Sequence, residues 1–272
     1  MFWTGTPHRG PSKVDAPSAT GRLQSAGSSK QGADRLHNED CIRVDDSLGL
    51  ILIADGMGGH RGGEVASLLA ADAIIDYLSD PPSGVGSWPY GFDSSLSTDG
   101  NRLRTAIHAA HIRLLESALS KVSLTGMGTT VVAAIERNGH LTIAWVGDSR
   151  LYHLTAAGLR QVTRDDSWIE TALAERPDAD LETLRLHPLR NALTNVLGAN
   201  SRLDVHVLDV VLDEDDVVAL TTDGVHGALS ERDLKHLLSR RVDPARAAAG
   251  LVSAALAAGS ADDCSAVVGR YI

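Results

Sequence analysis

The stretch Thr129–Val162, TTVVAAIERNGHLTIAWVGDSRLYHLTAAGLRQV, decides the fold class. Aliphatic and β-branched residues gather in short runs at Thr129–Ile135, Leu141–Val146, Leu151–Leu154 and Leu159–Val162, and turn-prone residues separate them. Asn138-Gly139 suits a type I′ turn, which requires positive φ at both central residues, and Ala157-Gly158 offers a second turn. The spacing predicts one antiparallel meander of four strands.

Upstream, Cys41–Val44 and Leu50–Ala54 read as two strands joined by Asp45-Asp46-Ser47-Leu48-Gly49, and the second runs straight into Asp55-Gly56-Met57-Gly58-Gly59. Val65, Leu68, Leu69, Ile75 and Leu78 then recur at helical spacing over Glu64–Leu78. Leu103, Ile107, Ala110 and Leu114 mark one face of a second helix, and the Pro-, Ser- and Gly-rich segment Pro81–Gly100 between the two reads as a surface loop. Downstream, Arg164–Asn200 is polar, holds Pro177 and Pro188, and predicts an insertion with only short helical pieces. Strands return at Val205–Val211 and Val217–Leu220. Ser230–Asp233 forms a capping-box signal for a helix to Ser239, Pro244 opens an Ala-rich helix ending near Gly259, and Cys264–Tyr271 closes the chain as a strand. Strands and helices alternate in blocks and not as βαβ units, so the expected class is α+β, a sandwich of antiparallel sheets.

Composition narrows the function without choosing it. With 272 residues and 43% hydrophobic content the chain can build one catalytic domain. Lys plus Arg number 25 against 35 Asp plus Glu, a net charge of -10, and such a field repels nucleic acid and anionic membrane. Cys41 and Cys264 lie far apart without CxxC spacing, which argues against a disulfide framework or zinc site and favours small buried strand residues in a reducing compartment. No apolar run approaches the ~20 residues of a membrane span, so a cytoplasmic protein is expected. Met1–Ala19 lacks the apolar core of a signal peptide. Residues 1–22 are expected to form a mobile leader, and 23–272 a single domain.

The acidic residues carry the chemistry. Glu39, Asp40, Asp55, Asp223, Asp262 and Asp263 each stand where a strand meets a turn. Strand-end carboxylates can converge at one end of a sheet, where they repel one another unless cations hold them, and an all-oxygen set favours Mg²⁺ or Mn²⁺ over zinc. Taken singly, an Asp-Gly pair is a turn. There is no Walker loop and no Gly-x-Ser-x-Gly elbow, which removes kinase and serine-hydrolase readings.

Taken together, seven ordered motifs resemble the protein phosphatase 2C family of metal-dependent serine/threonine phosphatases, in its compact bacterial form. They are Arg35–Asp40, Ile53–His60, Gly63-Glu64, Gly126-Met127-Gly128-Thr129-Thr130, Val146–Arg150, Leu220–Gly224 and Asp262–Val268. The resemblance implies a four-layer α/β/β/α sandwich, with two packed, mainly antiparallel sheets flanked by helices and two Mn²⁺ or Mg²⁺ ions at one end. It implies that Asp55 bridges both ions, that Gly56 lends its carbonyl oxygen, and that Asp223 and Asp262 complete one ion's shell. Glu39 and Asp40 would hold bound waters or ligate directly, and Arg35 would grip the substrate phosphate. Hydrolysis would proceed by direct attack of a water bridging the two ions. Asn38 and Asp148 are expected to support the site from behind. Implied partners are phosphorylated proteins, either a Ser/Thr kinase or its substrates, met by a monomer. Alternatives are a pseudophosphatase binding module, or a phosphatase dedicated to one regulatory partner such as a secretion-system scaffold or an anti-sigma antagonist.

Three departures from the family pattern matter. Met57 stands where animal members carry a histidine that can protonate the leaving oxygen, and His60 is expected to be structural or exposed. Ser123, Leu124 and Thr125 offer no carboxylate for a third ion, so two are expected. Asp263 stands where an asparagine usually follows the ligand aspartate, and is expected to add negative charge while Asp262 ligates. His108 and His111 share a helix face without a third ligand, and are expected to be exposed. Residues 163–200, with Trp168 and His187-Pro188-Leu189-Arg190-Asn191, correspond to the family's flap beside the site, where substrate choice is expected to lie.

Overall fold

The run Leu50-Ile51-Leu52-Ile53-Ala54 is apolar at every position because both of its faces are covered. Leu50, Leu52 and Ala54 pack into a core beneath two helices, while Ile51 and Ile53 point into a second core between two sheets. A strand that alternates between two dry environments has no reason to carry polar residues. A computed structural model describes residues 21–59, 61–80, 88–199, 202–241 and 243–272. Residues 1–20 of the expected leader, His60 and the start of the expected loop after Pro81 lie outside them.

One sheet orders its strands β1 (Leu23–Lys30), β11 (Cys264–Tyr271), β10 (Val217–Thr221), β7 (Arg150–Thr155) and β8 (Gly158–Gln161). The other runs β2 (Asp40–Asp45), β3 (Leu50–Met57), β5 (Val131–Arg137), β6 (His140–Val146) and β9 (His206–Val211), with the two-residue β4 (Gly128–Thr129) added on β3. Every pairing is antiparallel. Helices α1 (Gly62–Ser79) and α2 (Thr98–Ser120) cover the second sheet. The first is covered by α5 (Asp223–His226), α6 (Glu231–Leu237) and α7 (Pro244–Ala257). This is the expected α+β sandwich of two antiparallel sheets flanked by helices.

The expected four-strand meander does not form. β5 and β6 stay together through the Asn138-Gly139 turn, with φ of 53° and 79°, but β7 and β8 belong to the opposite sheet. The chain changes sheets at Gly147, whose φ is 98° and where a Cβ would stand 2.7 Å from the Thr130 side chain. The turn expected at Ala157-Gly158 lies one residue earlier, and Gly158 already belongs to β8. β3 continues past Ala54 through Asp55, Gly56 and Met57, because Gly56 and Met57 pair with β4. The loop expected to reach Gly100 ends sooner: Ser97 caps α2, its side chain accepting from the Gly100 N–H at 3.0 Å. β1 went unread because its sequence, LQSAGSSK, has little apolar content. Arg22, at the expected leader boundary, pairs with Ile272 through both backbone bonds.

Candidate active site

Strand ends of both sheets, with the loops that carry Arg35 and Asn191, bring most of the predicted residues to one cleft of about 250 Å³. Arg35, Glu39, Asp55, Gly56, Asp148, Asp223 and Asp262 all line it, together with Met57, Gly58, Thr130, Asn191 and Leu193. Asp55 lies opposite Asp40 in the β2–β3 register. Asp223 opens the short helix after β10, and Asp262 precedes β11. Gly56 and Gly63 make the approach possible, since a Cβ on Gly56 would collide with the Gly63 carbonyl and one on Gly63 would meet the Glu39 carboxylate. The Gly56 N–H donates to the Glu39 carbonyl at 3.1 Å.

Asp40, Asn38 and Asp263 sit behind the cleft wall. Asp40 Oδ2 accepts from Thr222 Oγ1 at 2.9 Å, while its Oδ1 is buried without a hydrogen-bond partner. Asn38 Nδ2 donates to Ser29 Oγ, and Asn38 Oδ1 accepts from the Asp40 N–H. The Asp263 carboxylate turns away from the cleft and accepts from the backbone N–H groups of Gly32 and Glu39. Sequence reasoning missed two hydroxyls. Thr130 Oγ1 accepts from the Asp55 N–H at 3.1 Å and bonds Ser149 Oγ at 2.7 Å, and Thr222 holds Asp40. Both stand in motifs already singled out, so their position was visible although their role was not.

The cleft is strongly anionic. Burial, and then the charges of Asp40, Asp223, Asp148 and Asp262, hold the Asp55 carboxyl well above its usual range. Burial chiefly pushes Asp40 up to about 8, and burial with the nearby Asp223 pushes Asp148 to about 7. Asp223 rises through burial and Asp262, and Glu39 through burial against the opposing pull of Arg35. Burial works against the Arg35 charge, but its bond to Asp262 and the nearby Asp263 and Glu39 raise its pKa overall. One guanidinium stands among five cleft carboxylates, with a buried carboxylate oxygen unpaired behind them. That donor set, all hard oxygen and short of positive charge, fits Mg²⁺ or Mn²⁺. Among the described residues no three such side chains already converge on a common point in ligating geometry.

Other expectations are met in part. Cys41 and Cys264 are buried free thiols. His111 is buried, contrary to the exposed position expected, and its Nδ1 accepts from the Gly198 N–H. The flap carries α3 (Trp168–Glu175) and α4 (Leu181–Arg185), with the Trp168 and His187 rings stacked 4.0 Å apart. Among the described residues of the flap, Asn191 and Leu193 of its returning limb line the cleft.

The sequence profile described as Protein phosphatase 2C matches residues 26–258. The chain belongs to that family. It is 31% identical over 219 residues to the serine/threonine phosphatase stp of Listeria monocytogenes, covering 78% of this chain and 81% of the relative. The catalytic domain of the serine/threonine phosphatase PstP, solved in complex with two manganese ions, superposes with a TM-score of 0.76. It is 27% identical and covers 93% of this chain and 100% of that one. PppA of Pseudomonas aeruginosa, described as a key regulatory component of T6SS, superposes with a TM-score of 0.75 at 28% identity, covering 92% of this chain and 98% of that one. As a protein phosphatase 2C family member, the chain is a metal-dependent protein-serine/threonine phosphatase. Among the described residues no helix is long and apolar enough to cross a membrane.

Proposed function

We propose that the chain hydrolyses phosphoserine and phosphothreonine on other proteins at the cleft between Arg35, Glu39, Asp55, Asp223 and Asp262, and that it opposes a bacterial Ser/Thr kinase in the cytoplasm. The carrying observation is the charge imbalance of the cleft, in which several desolvated carboxylates surround a single guanidinium. Asp55, Asp223, Asp262 and the Gly56 carbonyl would hold two divalent cations, Mn²⁺ or Mg²⁺, with Glu39 and Asp40 directly or through waters. Such a pair supplies hydroxide at neutral pH and stabilises charge during in-line displacement at phosphorus. The PstP complex with two manganese ions supports this assignment.

The protein's own groups do the rest. Arg35 stands on the cleft rim with its planar fork suited to two phosphate oxygens. Thr222 holds the Asp40 carboxylate and Thr130 holds the Asp55 backbone N–H, so the strand end that carries Asp55 and the Asp40 side chain need not reorganise as charge develops. Asn191 and Leu193 bring the flap to the rim, where residues flanking the phosphorylated side chain would pass.

The likeness to PppA supports a second reading, in which the substrate is one dedicated regulatory partner such as a secretion-system scaffold. Phosphopeptide hydrolysis with Mn²⁺, and after removal of metal by chelator, tests the activity. Metal-independent turnover, or none with either Mn²⁺ or Mg²⁺, would reject it. A panel of phosphoproteins would then separate general from dedicated action.

A further inference from the structure

We infer that Asp263 is a positioning residue that sets the place of Arg35 by clamping both ends of the loop that carries it. The inference rests on the reading of the cleft as a phosphatase site, but its geometry is independent of turnover. Asp263 Oδ1 accepts from the Gly32 N–H at 2.9 Å, and Oδ2 accepts from the Glu39 N–H at 2.8 Å. The side chain is buried, and the two donors bracket the loop on either side of Arg35. Each carboxylate oxygen thus serves one end of the loop.

Within that bracket the loop closes on itself. The Arg35 N–H donates to the Gly32 carbonyl at 3.3 Å, and Gln31 Nε2 donates to the Arg35 carbonyl at 2.6 Å. Gly32 lies so close to the segment leading into β11 that a Cβ would collide with the carbonyl oxygens of Ala261 and Asp262. The adjacent residue completes the arrangement: Asp262 Oδ1 accepts both from the Asp263 N–H at 2.7 Å and from Arg35 Nη2. Asp262 therefore holds the guanidinium while Asp263 holds the backbone beneath it. Gln31 and Asn38 also tie the loop through side chains, but Gln31 is exposed and Asn38 ties one end, to Ser29, whereas the buried Asp263 carboxylate bonds both ends.

Both carboxylate oxygens are used in this chain, because two donors converge on the side chain. An asparagine has one acceptor oxygen, and either orientation of its amide points an N–H₂ group at a backbone N–H. One loop end then loses its bond and faces another donor. The loop is released at one end while the volume of the site is unchanged, so Arg35 loses registration with the phosphate, but the ligands do not leave the cleft.

The test is steady-state hydrolysis of a phosphopeptide by the parent, Asp263→Asn, Arg35→Ala and the double variant, at saturating Mn²⁺, with Mn²⁺-induced thermal shifts alongside. Asp263→Asn should raise KM about five- to tenfold, as expected for a lost charged hydrogen bond. Its kcat and Mn²⁺ shift should stay within about twofold of the parent. On the Arg35→Ala background the same change should raise KM by less than about twofold, because the two residues act as one unit. An unchanged KM, full additivity in the double variant, or loss of the Mn²⁺ shift would overturn the inference. Should Asp263→Asn fail to fold, Asp263→Ser, which keeps a single small acceptor, is judged by the same criteria. Amide hydrogen exchange separates this inference from the phosphatase reading. Faster exchange at Gly32 or Glu39 in Asp263→Asn upholds the clamp even if the parent proves inactive, whereas unaltered exchange at both refutes it.

Discussion

The guanidinium of Arg35 donates through Nη2 to Asp262 Oδ1, so the residue proposed to meet the substrate phosphate is already bonded to a carboxylate of the acidic cluster. Its second carboxylate neighbour, Glu39, lies 3.7 Å away. The arginine is thereby aimed into the cleft before substrate arrives, although its side chain remains 40% exposed. Removing it should chiefly weaken substrate capture. Arg35→Ala is expected to raise KM for a phosphopeptide roughly ten- to a hundredfold, the range for losing a charge-assisted pair of hydrogen bonds. KM values for both a phosphopeptide and an aryl phosphate that match the parent would remove Arg35 from the site.

Adjacent aspartates have opposite orientations. Asp262 lines the cleft, whereas Asp263 is buried against the backbone of Gly32 and Glu39. Asp262→Asn should lose nearly all turnover, because it removes a charge at the cation site. Asp263→Asn should keep most of its kcat. Comparing kcat for the two purified variants at saturating substrate and Mn²⁺ decides the register, and the reverse ranking would place the ligand at Asp263.

The acidic cluster links catalysis to stability. Asp55 is desolvated and surrounded by Asp40, Asp223, Asp148 and Asp262, so its ionised form is disfavoured without cations. Millimolar Mn²⁺ should raise the melting temperature of the parent by roughly 5 to 10 °C if the concentration stands about a hundredfold above Kd. Asp55→Asn should abolish turnover and shrink this shift, yet melt in chelator at or above the parent temperature. Thermal melting in chelator and in Mn²⁺, paired with phosphopeptide hydrolysis, measures all three. Retained turnover or an undiminished shift would show that Asp55 is a turn residue and not a bridging ligand.

The base of the flap provides a pH-dependent contribution. Asp166 accepts from His206 Nε2 at 2.8 Å, from the Gly147 N–H at 2.9 Å and from Asn195 Nδ2 at 2.8 Å, tying both limbs of the flap to the sheet-changing glycine. The bond to Asp166 raises the His206 pKa, burial opposes it, and Asp204 adds to the rise while Arg164 reduces it. A histidine whose folded pKa exceeds its unfolded value stabilises fully below the unfolded value, about 6.5, and loses that contribution as pH rises through the folded pKa. Because His206 is 34% exposed, solvent screening keeps the effect small. The melting temperature of His206→Gln should fall below that of the parent by roughly 1 to 3 °C at pH 6, a gap that narrows by pH 9. A gap that widens with pH would show that the neutral imidazole is the form the flap prefers.

Periodicity and motif order in the sequence determined which segments become strands and helices, because a side chain's face is fixed by its own spacing along the chain. Leu50–Ala54, the Asn138-Gly139 turn, the Ser230–Asp233 cap and the Pro244 helix start were all legible in this way. So were the positions of the acidic residues at strand ends. Which sheet a strand joins was not, since pairing joins residues far apart in sequence: β7 and β6 are adjacent in the chain yet lie in opposite sheets. β1, polar and short of apolar signal, is a strand only because all eight of its residues find partners on β11. Tertiary structure alone gave the Asp263 carboxylate its two backbone donors, and supplied the Thr130 and Thr222 hydroxyls to the Asp55 backbone and the Asp40 carboxylate. Neighbours in sequence cannot reveal such roles, because a side chain's chemistry is set by the donors and charges that folding places around it.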